Sequence, residues 1–317
     1  MNAVEPVTLT VVVLTFRRPT ELIRALPAIV RQVEDLGADA ALGVQASMVV
    51  IDNDALASAR EAVASLGSSL VDYVVEPEPG IAAARNRGLD HAAERDLLVY
   101  IDDDESPREG WLRSLLQTWR KFPATAVMGR VISVFDGELE PWIEAGDFFW
   151  RPTMPSGTEV QIVAAGNLLL DLRQVRAFGL RFDNRFGLTG GEDTLFSRQL
   201  TAAGGRMVWC DESEATDFVP PERVTRSWVL GRSRRNGNTT TAIDLYLASS
   251  TWHRLAIRAR ALGGGIARIV SGIGRWGTGM AMCSLRHQAR GMRLINRGIG
   301  MIAAATGTTY QEYARHD

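Results

Sequence analysis

Four β-rich segments alternate with helix-patterned ones through the first 105 residues, and this alternation leaves few folds open. Thr8–Thr15 is a continuous β-rich run of the kind buried on both faces of a sheet. Pro19 sits where a helix begins, and Leu22, Ile23, Leu26, Ile29, Val30 and Val33 follow at helical spacing. Ser47–Ile51 is a second strand, Ala55–Leu66 a helix, Val71–Val75 a third strand, Ile81–Ala93 a helix and Leu97–Ile101 a fourth strand. A β-α-β-α-β-α-β series predicts an α/β chain with a parallel sheet covered by helices on both sides. Ligands of such sheets bind beyond the carboxyl ends of the strands. Polar residues gather at those ends: Thr15-Phe16-Arg17, Asp52-Asn53-Asp54 and Asp102-Asp103-Asp104.

From Pro107 to about Val219 the pattern is mixed. It predicts a helix over Trp111–Lys121, a strand over Thr125–Phe135, a Pro/Trp-rich loop over Pro141–Gly157 and a strand pair or bend around Val160–Leu170. A helix is expected after Gly190-Gly191 and a strand over Arg206–Cys210. Beyond Pro221 the chain reads as helical, with Arg286, Arg290, Arg293 and Arg297 on one stripe.

Charge divides the chain. The net charge is −2, yet fifteen arginines face four acids from Pro221 onward. A basic tail on an acidic body points to an anionic partner, such as a membrane surface or a phosphorylated substrate; the alternative is a solvated, Arg-rich helical region. No apolar run reaches the ~20 residues that span a bilayer. The start, MNAVEPVTLTVVVLTF, reads as a first strand without a basic leader, and Cys210 and Cys283 read as reduced thiols, so a cytosolic location is expected.

Three constellations carry chemistry. The Asp102-Asp103-Asp104 triplet follows a buried strand; like charges so close favour a divalent cation such as Mg²⁺ or Mn²⁺, or else form a solvated turn. Gly190-Gly191-Glu192-Asp193 leads into a helix, where the glycines allow close backbone approach to a ligand and the acids meet the helix dipole. Thr189 and Glu192 fit a capping box, which leaves Asp193 favoured as a general base. Gly80–Gly88 is an Ala-rich helix start from which Arg85 or Asn86 can reach a base or phosphate, unless it is an ordinary helix with exposed arginines.

Other classes lack their signals. There is no G-x-G-x-x-G after the first strand, no P-loop and no G-x-S-x-G elbow. The four histidines show no zinc spacing, and the basic tail has no interleaved aromatics for nucleic acid.

The order and spacing of VVVLTFRRP, VVIDND, GIAAARNRGLD, YIDDDESPREGWL, GGEDTLFSRQL and VPPERVTRSWVLGRSRRNGN resemble the family 2 glycosyltransferases, over about Val7 to Arg235. The helical end is more loosely similar to members that build bacterial polysaccharides or other cell-surface glycans. The resemblance implies the Rossmann-like GT-A fold, with a catalytic domain over 1–220 (nucleotide-binding half to about 105, acceptor half beyond) and a basic helical region over 221–317. It implies a nucleotide-diphosphate sugar donor, UDP-linked by preference, a saccharide or lipid-linked acceptor, Mg²⁺ or Mn²⁺, and inversion of configuration. Thr15, Phe16 and Arg17 would line the base and ribose pocket, and Asp52 would accept a hydrogen bond from the base. Arg85 would lie near base or phosphates. Asp102 would face ribose or metal, and Asp104 would be the main metal ligand, with Asp103 between them. Asp193 matches the base, while Gly190, Gly191 and Glu192 shape the acceptor side. Trp228, Arg232, Arg234 and Arg235 would lie near the diphosphate, or else face solvent. Many relatives carry a metal-binding His before the Pro-rich turn. Here Glu214–Val219 has none, and either Asp217 replaces it or the metal lacks a third protein ligand. A non-catalytic nucleotide-sugar-binding scaffold and a nucleotidyltransferase are the competing readings.

Overall fold

A computed structural model describes residues 6–308 and Tyr310. Four parallel strands form one half of the sheet: β1 (Val7–Thr15), β2 (Val44–Asp52), β3 (Val71–Val75) and β4 (Leu97–Asp102). β1 pairs with β2 on one side and β4 on the other, and eight of its nine residues, all but Thr8, are buried. That double-sided burial is why its sequence is continuous rather than alternating. Beyond β4 the sheet turns antiparallel through β7 (Asn167–Asp171), β6 (Ala126–Phe135), β8 (Met207–Val219) and β5 (Glu105–Pro107), giving the order β3-β2-β1-β4-β7-β6-β8-β5.

The helices of this half are α1 (Pro19–Ala38), α2 (Arg60–Ala64), α3 (Ile81–His91), α4 (Trp111–Lys121), α6 (Leu172–Ala177) and α7 (Glu192–Ala202). α1 buries Leu22, Leu26, Ile29, Val33 and Leu36 at helical spacing. α3 lies close to the sheet: a Cβ on Gly88 would stand 2.8 Å from Val12 Cγ1 and 3.3 Å from the Tyr100 ring.

Two elements differ from expectation for local reasons. The helix expected from Ala55 shortens to Arg60–Ala64. Asp54 accepts from Leu56 N at 3.3 Å, Ala57 takes φ 57°, and Asp52 accepts from Ala59 N at 2.8 Å. These local bonds offer the backbone an alternative to the helix. The strand expected to end at Cys210 instead runs to Val219. Its acid-rich second half stays extended because Glu214 meets Arg108 and Arg130, and Asp217 meets Arg151.

The chain divides into two compact units. One holds Met1–Ser133, Arg151–Leu188 and Glu192–Phe218; the other holds Val134–Trp150, Thr189–Gly191 and Val219–Asp317. The second contains α5 (Pro141–Ala145), α8 (Arg226–Tyr246), α9 (Thr251–Ala281) and α10 (Leu285–Ala305). Thr225, Ser250 and Ser284 cap the three long helices by accepting from the amides of Trp228, His253 and His287. α9 and α10 touch backbone to backbone: a Cβ on Gly272 would stand 2.8 Å from the Gly291 carbonyl oxygen. Half of the expected arginine stripe on α10 is spent inside this unit. Arg290 pairs with Asp147, and Arg293 lies 4.4 Å over the Phe148 ring, where burial pushes its pKa down. No helix among the described residues is long and apolar enough to cross a membrane.

Candidate active site

The carboxyl ends of β1 and β4 bring the first group of predicted residues together. Thr15 ends β1 and donates its hydroxyl to Asp103 at 2.7 Å. Arg17 takes φ 53°, which folds its guanidinium over the Phe16 ring at 5.0 Å and its Nε toward Asp54 at 3.3 Å. Arg18 enters the same place from the start of α1, donating to Asp103 at 3.3 Å and to Asp104 at 3.0 Å.

Asp52 is fully buried and holds the loop after β2. It accepts from Asp54 N, Ala59 N and Tyr73 Oη, the last at 2.7 Å. Both oxygens thus help hold this loop. Beside it Asn53 links strands: its amide donates to the carbonyls of Glu76 and Glu78, and its Oδ1 accepts from Gly80 N.

Acidic side chains crowd the edge of β4 and β5. Asp102 closes β4. Burial, with Asp104 next to it, pushes its pKa up to about 6. Burial likewise raises Asp103 to about 7, although Arg18 and the Thr15 hydroxyl oppose the shift. Glu105, absent from the sequence reading, is 5% exposed, and its Oε2 has no hydrogen-bond partner. Burial first, then Asp102, Asp104 and Asp217, hold its pKa well above the usual carboxylate range. Asp217 faces Glu105 across the β5–β8 pairing and accepts from Arg151 at 2.8 Å. A Cβ on Gly166 would stand 2.8 Å from Asp102 Oδ2 and 2.9 Å from Glu105 Oε1. That glycine keeps room for two carboxylates on one small patch.

The cluster is oxygen-only and net negative, the donor chemistry of a hard divalent cation. The orphaned Glu105 oxygen and the space kept by Gly166 fit such an ion. As the side chains stand, Arg18 and Arg151 neutralise part of the charge, and no three acidic, His or Cys groups among the described residues already converge as a metal centre. Asp104, expected as the main metal ligand, here pairs with Arg18.

A buried ion pair ties the other predicted segment to this edge. Arg85 on α3 pairs with Glu192, and both are nearly inaccessible. Arg85 also lies 5.4 Å over the Phe182 ring, and its positive charge reaches Asp102. The expected capping box is not formed. α7 begins at Glu192 itself, and the Thr189 hydroxyl turns to the Gly190 carbonyl at 3.4 Å. Glu192 is drawn away by the Arg85 guanidinium, a stronger partner than a backbone amide. Asp193 follows it in the first turn, half-exposed, and accepts from Thr194 N at 2.6 Å. Asn86 is structural: it donates to the Phe182 carbonyl and accepts from Phe182 N.

The remaining predicted residues lie in the second unit. Gly190 and Gly191 take φ 75° and 92°. A Cβ on Gly191 would stand 2.2 Å from Thr239 Cγ2, so its small size allows a close approach to α8. Trp228 stacks on Phe149 at 6.0 Å, and Arg232 lies over its ring at 5.4 Å. Arg234 donates to Asn296, and Arg235 follows on the same helix.

Sequence reasoning missed Arg18, Glu105, Arg151 and Gly166. The first two adjoin motifs already singled out, FRRP and DDDE. No local signal marks Arg151 or Gly166, because their roles depend on strands that meet only in the fold.

Residues 10–167 match the family described as Glycosyl transferase family 2. The succinoglycan biosynthesis protein ExoM of Rhizobium meliloti (strain 1021) is 34% identical over 232 residues, 72% of each chain. A pre-mycofactocin glycosyltransferase of Mycobacterium tuberculosis (strain CDC 1551 / Oshkosh) is 27% identical over 72% of this chain and 48% of its own, so this chain spans about half of that relative. Among solved structures, GalNAc-T7 with UDP, GalNAc and Mn²⁺ superposes with a TM-score of 0.53 at 16% identity, over 75% of this chain and 50% of that one. That last likeness establishes the GT-A fold.

Proposed function

We propose, from the premise that this chain belongs to the family 2 glycosyltransferases, that it moves a sugar from a UDP-linked donor to a hydroxyl of a saccharide or lipid-linked saccharide. The observation that carries the reading is the acidic edge of β4 and β5, with Glu192-Asp193 tied toward it through Arg85. In parallel sheets this edge is where nucleotides bind. A relative named for succinoglycan biosynthesis supports a polysaccharide-building acceptor.

In this reading residues 1–220 are the catalytic domain, and 221–317 are a basic helical region of a cytoplasmic enzyme that works at the inner face of the cell envelope. Thr15, Phe16 and Arg17 border the base and ribose, and the loop held by Asp52 and Asn53 shapes that pocket. Asp102 and Asp104 would hold Mg²⁺ or Mn²⁺, with Glu105 and Asp217 as nearby oxygens where relatives carry a His. When bound, such an ion neutralises the charge that grows on the leaving diphosphate. Arg18 then releases the carboxylates it grips and turns to phosphate oxygens, for which its fork is suited.

Asp193 takes the proton from the acceptor hydroxyl, which attacks the anomeric carbon from the face opposite the diphosphate. The C–O bond to the diphosphate breaks as the new glycosidic bond forms, and a single displacement inverts the configuration. Arg85 keeps Glu192 from competing for that proton and fixes the first turn of α7, from which Asp193 works.

A donor screen that detects released UDP, GDP or dTDP with Mn²⁺ present tests the reading, with UDP the expected product. Pyrophosphate release would instead mark a nucleotidyltransferase. Asp193→Asn should keep UDP binding and lower transfer by about 100-fold or more, the usual worth of a positioned base. Turnover retained within about tenfold of wild type would reject Asp193 as the base.

A further inference from the structure

α9 carries a long apolar ridge on its solvent side. Trp252, Leu255, Ile266, Val270, Ile273 and Met280 are all exposed, Trp252 by 81% and Val270 by 65%. At 100° per residue these six fall within an arc of about 80°, and at 1.5 Å rise the ridge runs about 42 Å. It is not the packing face of the helix. That face is Ile257, Ala261, Gly265, Gly272 and Gly279, which are buried, and the last three glycines sit against α10. Contiguous exposed apolar surface of this size marks an interaction site.

The charge around the ridge chooses the partner. α9 has five arginines and no Asp or Glu, and α10 also lacks acids. Arg258 and Arg260 are exposed and flank the ridge on its two sides. A second copy of this chain laid on the same face would bring arginines against arginines. An anionic lipid surface satisfies both features at once: apolar side chains enter the acyl boundary while guanidinium groups meet headgroup phosphates. Trp252 and Trp276, near the two ends of the ridge, are the residue type that settles at that boundary. α9 is not apolar enough to cross a membrane.

We propose that α9 seats the protein on an anionic membrane, lying in the plane of the interface with the Trp252–Met280 ridge inserted. This deepens the envelope-side location proposed above, and it concerns residues distinct from those assigned to sugar transfer.

The test is flotation of the full chain with vesicles of phosphatidylcholine, with and without one quarter phosphatidylglycerol. UDP-induced thermal stabilisation is measured on the same samples, so that loss of donor binding and loss of lipid binding are read separately. Wild type should float with the anionic vesicles, about tenfold less with neutral ones, and progressively less as salt rises. Ile266→Glu/Ile273→Glu should cut anionic-vesicle binding about tenfold while leaving the UDP response and circular dichroism unchanged. Arg258→Ser/Arg260→Ser should weaken binding at low salt and flatten its salt dependence. The proposal is overturned if wild type stays with the unbound fraction, or if the double Glu variant floats like wild type. It is equally overturned if sedimentation shows a lipid-independent dimer that the double Glu variant dissolves.

Discussion

Arg85 and Glu192, 107 residues apart in sequence, form an ion pair that is almost closed to solvent. Neither residue type is buried without a partner, so each specifies the position of the other. Removing one partner strands a buried charge, which typically costs about 3–5 kcal/mol. Glu192→Ala should therefore lower the thermal midpoint by roughly 10 °C, at the few degrees per kcal/mol typical of a chain this long. Arg85→Met/Glu192→Leu should recover most of that stability while transfer stays low, because the guanidinium near Asp102 is gone. Thermal denaturation of the three proteins checks this; a double variant as unstable as the single one would mean the pair is not coupled.

Gly166 is the second position where small size matters. A methyl group there would stand 2.8 Å from Asp102 Oδ2 and 2.9 Å from Glu105 Oε1. Gly166→Ala must displace at least one carboxylate. The expected outcome is Mn²⁺ affinity about tenfold weaker by calorimetry, with fold and far-UV spectrum retained. Unchanged affinity would mean that these two oxygens do not both serve the ion.

Much of the first half was legible in advance because its signals are local. Apolar runs, helical spacing and the residues just past each strand mark β1 to β4, α1 and α3, whereas α2 is shorter than its pattern. The Asp triplet was readable for the same reason. Glu105 was passed over because it follows three more conspicuous acids, and only its antiparallel register with Asp217 reveals it as buried. The bonds that Asp52 accepts from the backbone of the following loop and from Tyr73 are likewise visible only in the fold. The apolar ridge of α9 was hidden by the glycines and arginines interspersed with it. Only the fold shows which face α10 covers.

The raised acids give the metal-free protein a predictable pH response. Asp102 and Asp103 are raised from 3.8 to about 6 and about 7, and Glu105 is raised above 4.5. Between the unfolded and folded pKa values the native state holds more protons than the unfolded chain, so stability falls as pH rises through that window. Asp39, Asp54 and Asp96 are lowered, and their contribution is lost only below about pH 4, outside the window. In EDTA the thermal midpoint should therefore drop between pH 5 and pH 7.5, by roughly 5 °C or more. Mn²⁺ should restore more at pH 7.5 than at pH 5, because it favours the ionised carboxylates. Asp103→Asn should flatten the drop in EDTA. A midpoint that rises across this range in EDTA would contradict the assignment.

Close backbone contact in the second unit makes an opposed pair of glycine substitutions. A Cβ on Gly300 of α10 would stand 1.8 Å from the Arg234 carbonyl oxygen on α8 and 2.9 Å from Asn238 N. Neither neighbour is a side-chain end that can swing aside, so Gly300→Ala must part the two helices and open the contact Asn238 makes with the Gly300 carbonyl. Overpacking of this kind costs about 1–3 kcal/mol. Gly263, in the interior of α9, has nothing within 4 Å of its would-be Cβ. There the helix gains from a residue with less backbone freedom when unfolded, so Gly263→Ala should stabilise by about 0.5–1 kcal/mol. Urea denaturation of the two variants should move the midpoint in opposite directions. If Gly300→Ala leaves it unchanged, α8 and α10 are not in the direct backbone contact that organises this helical unit.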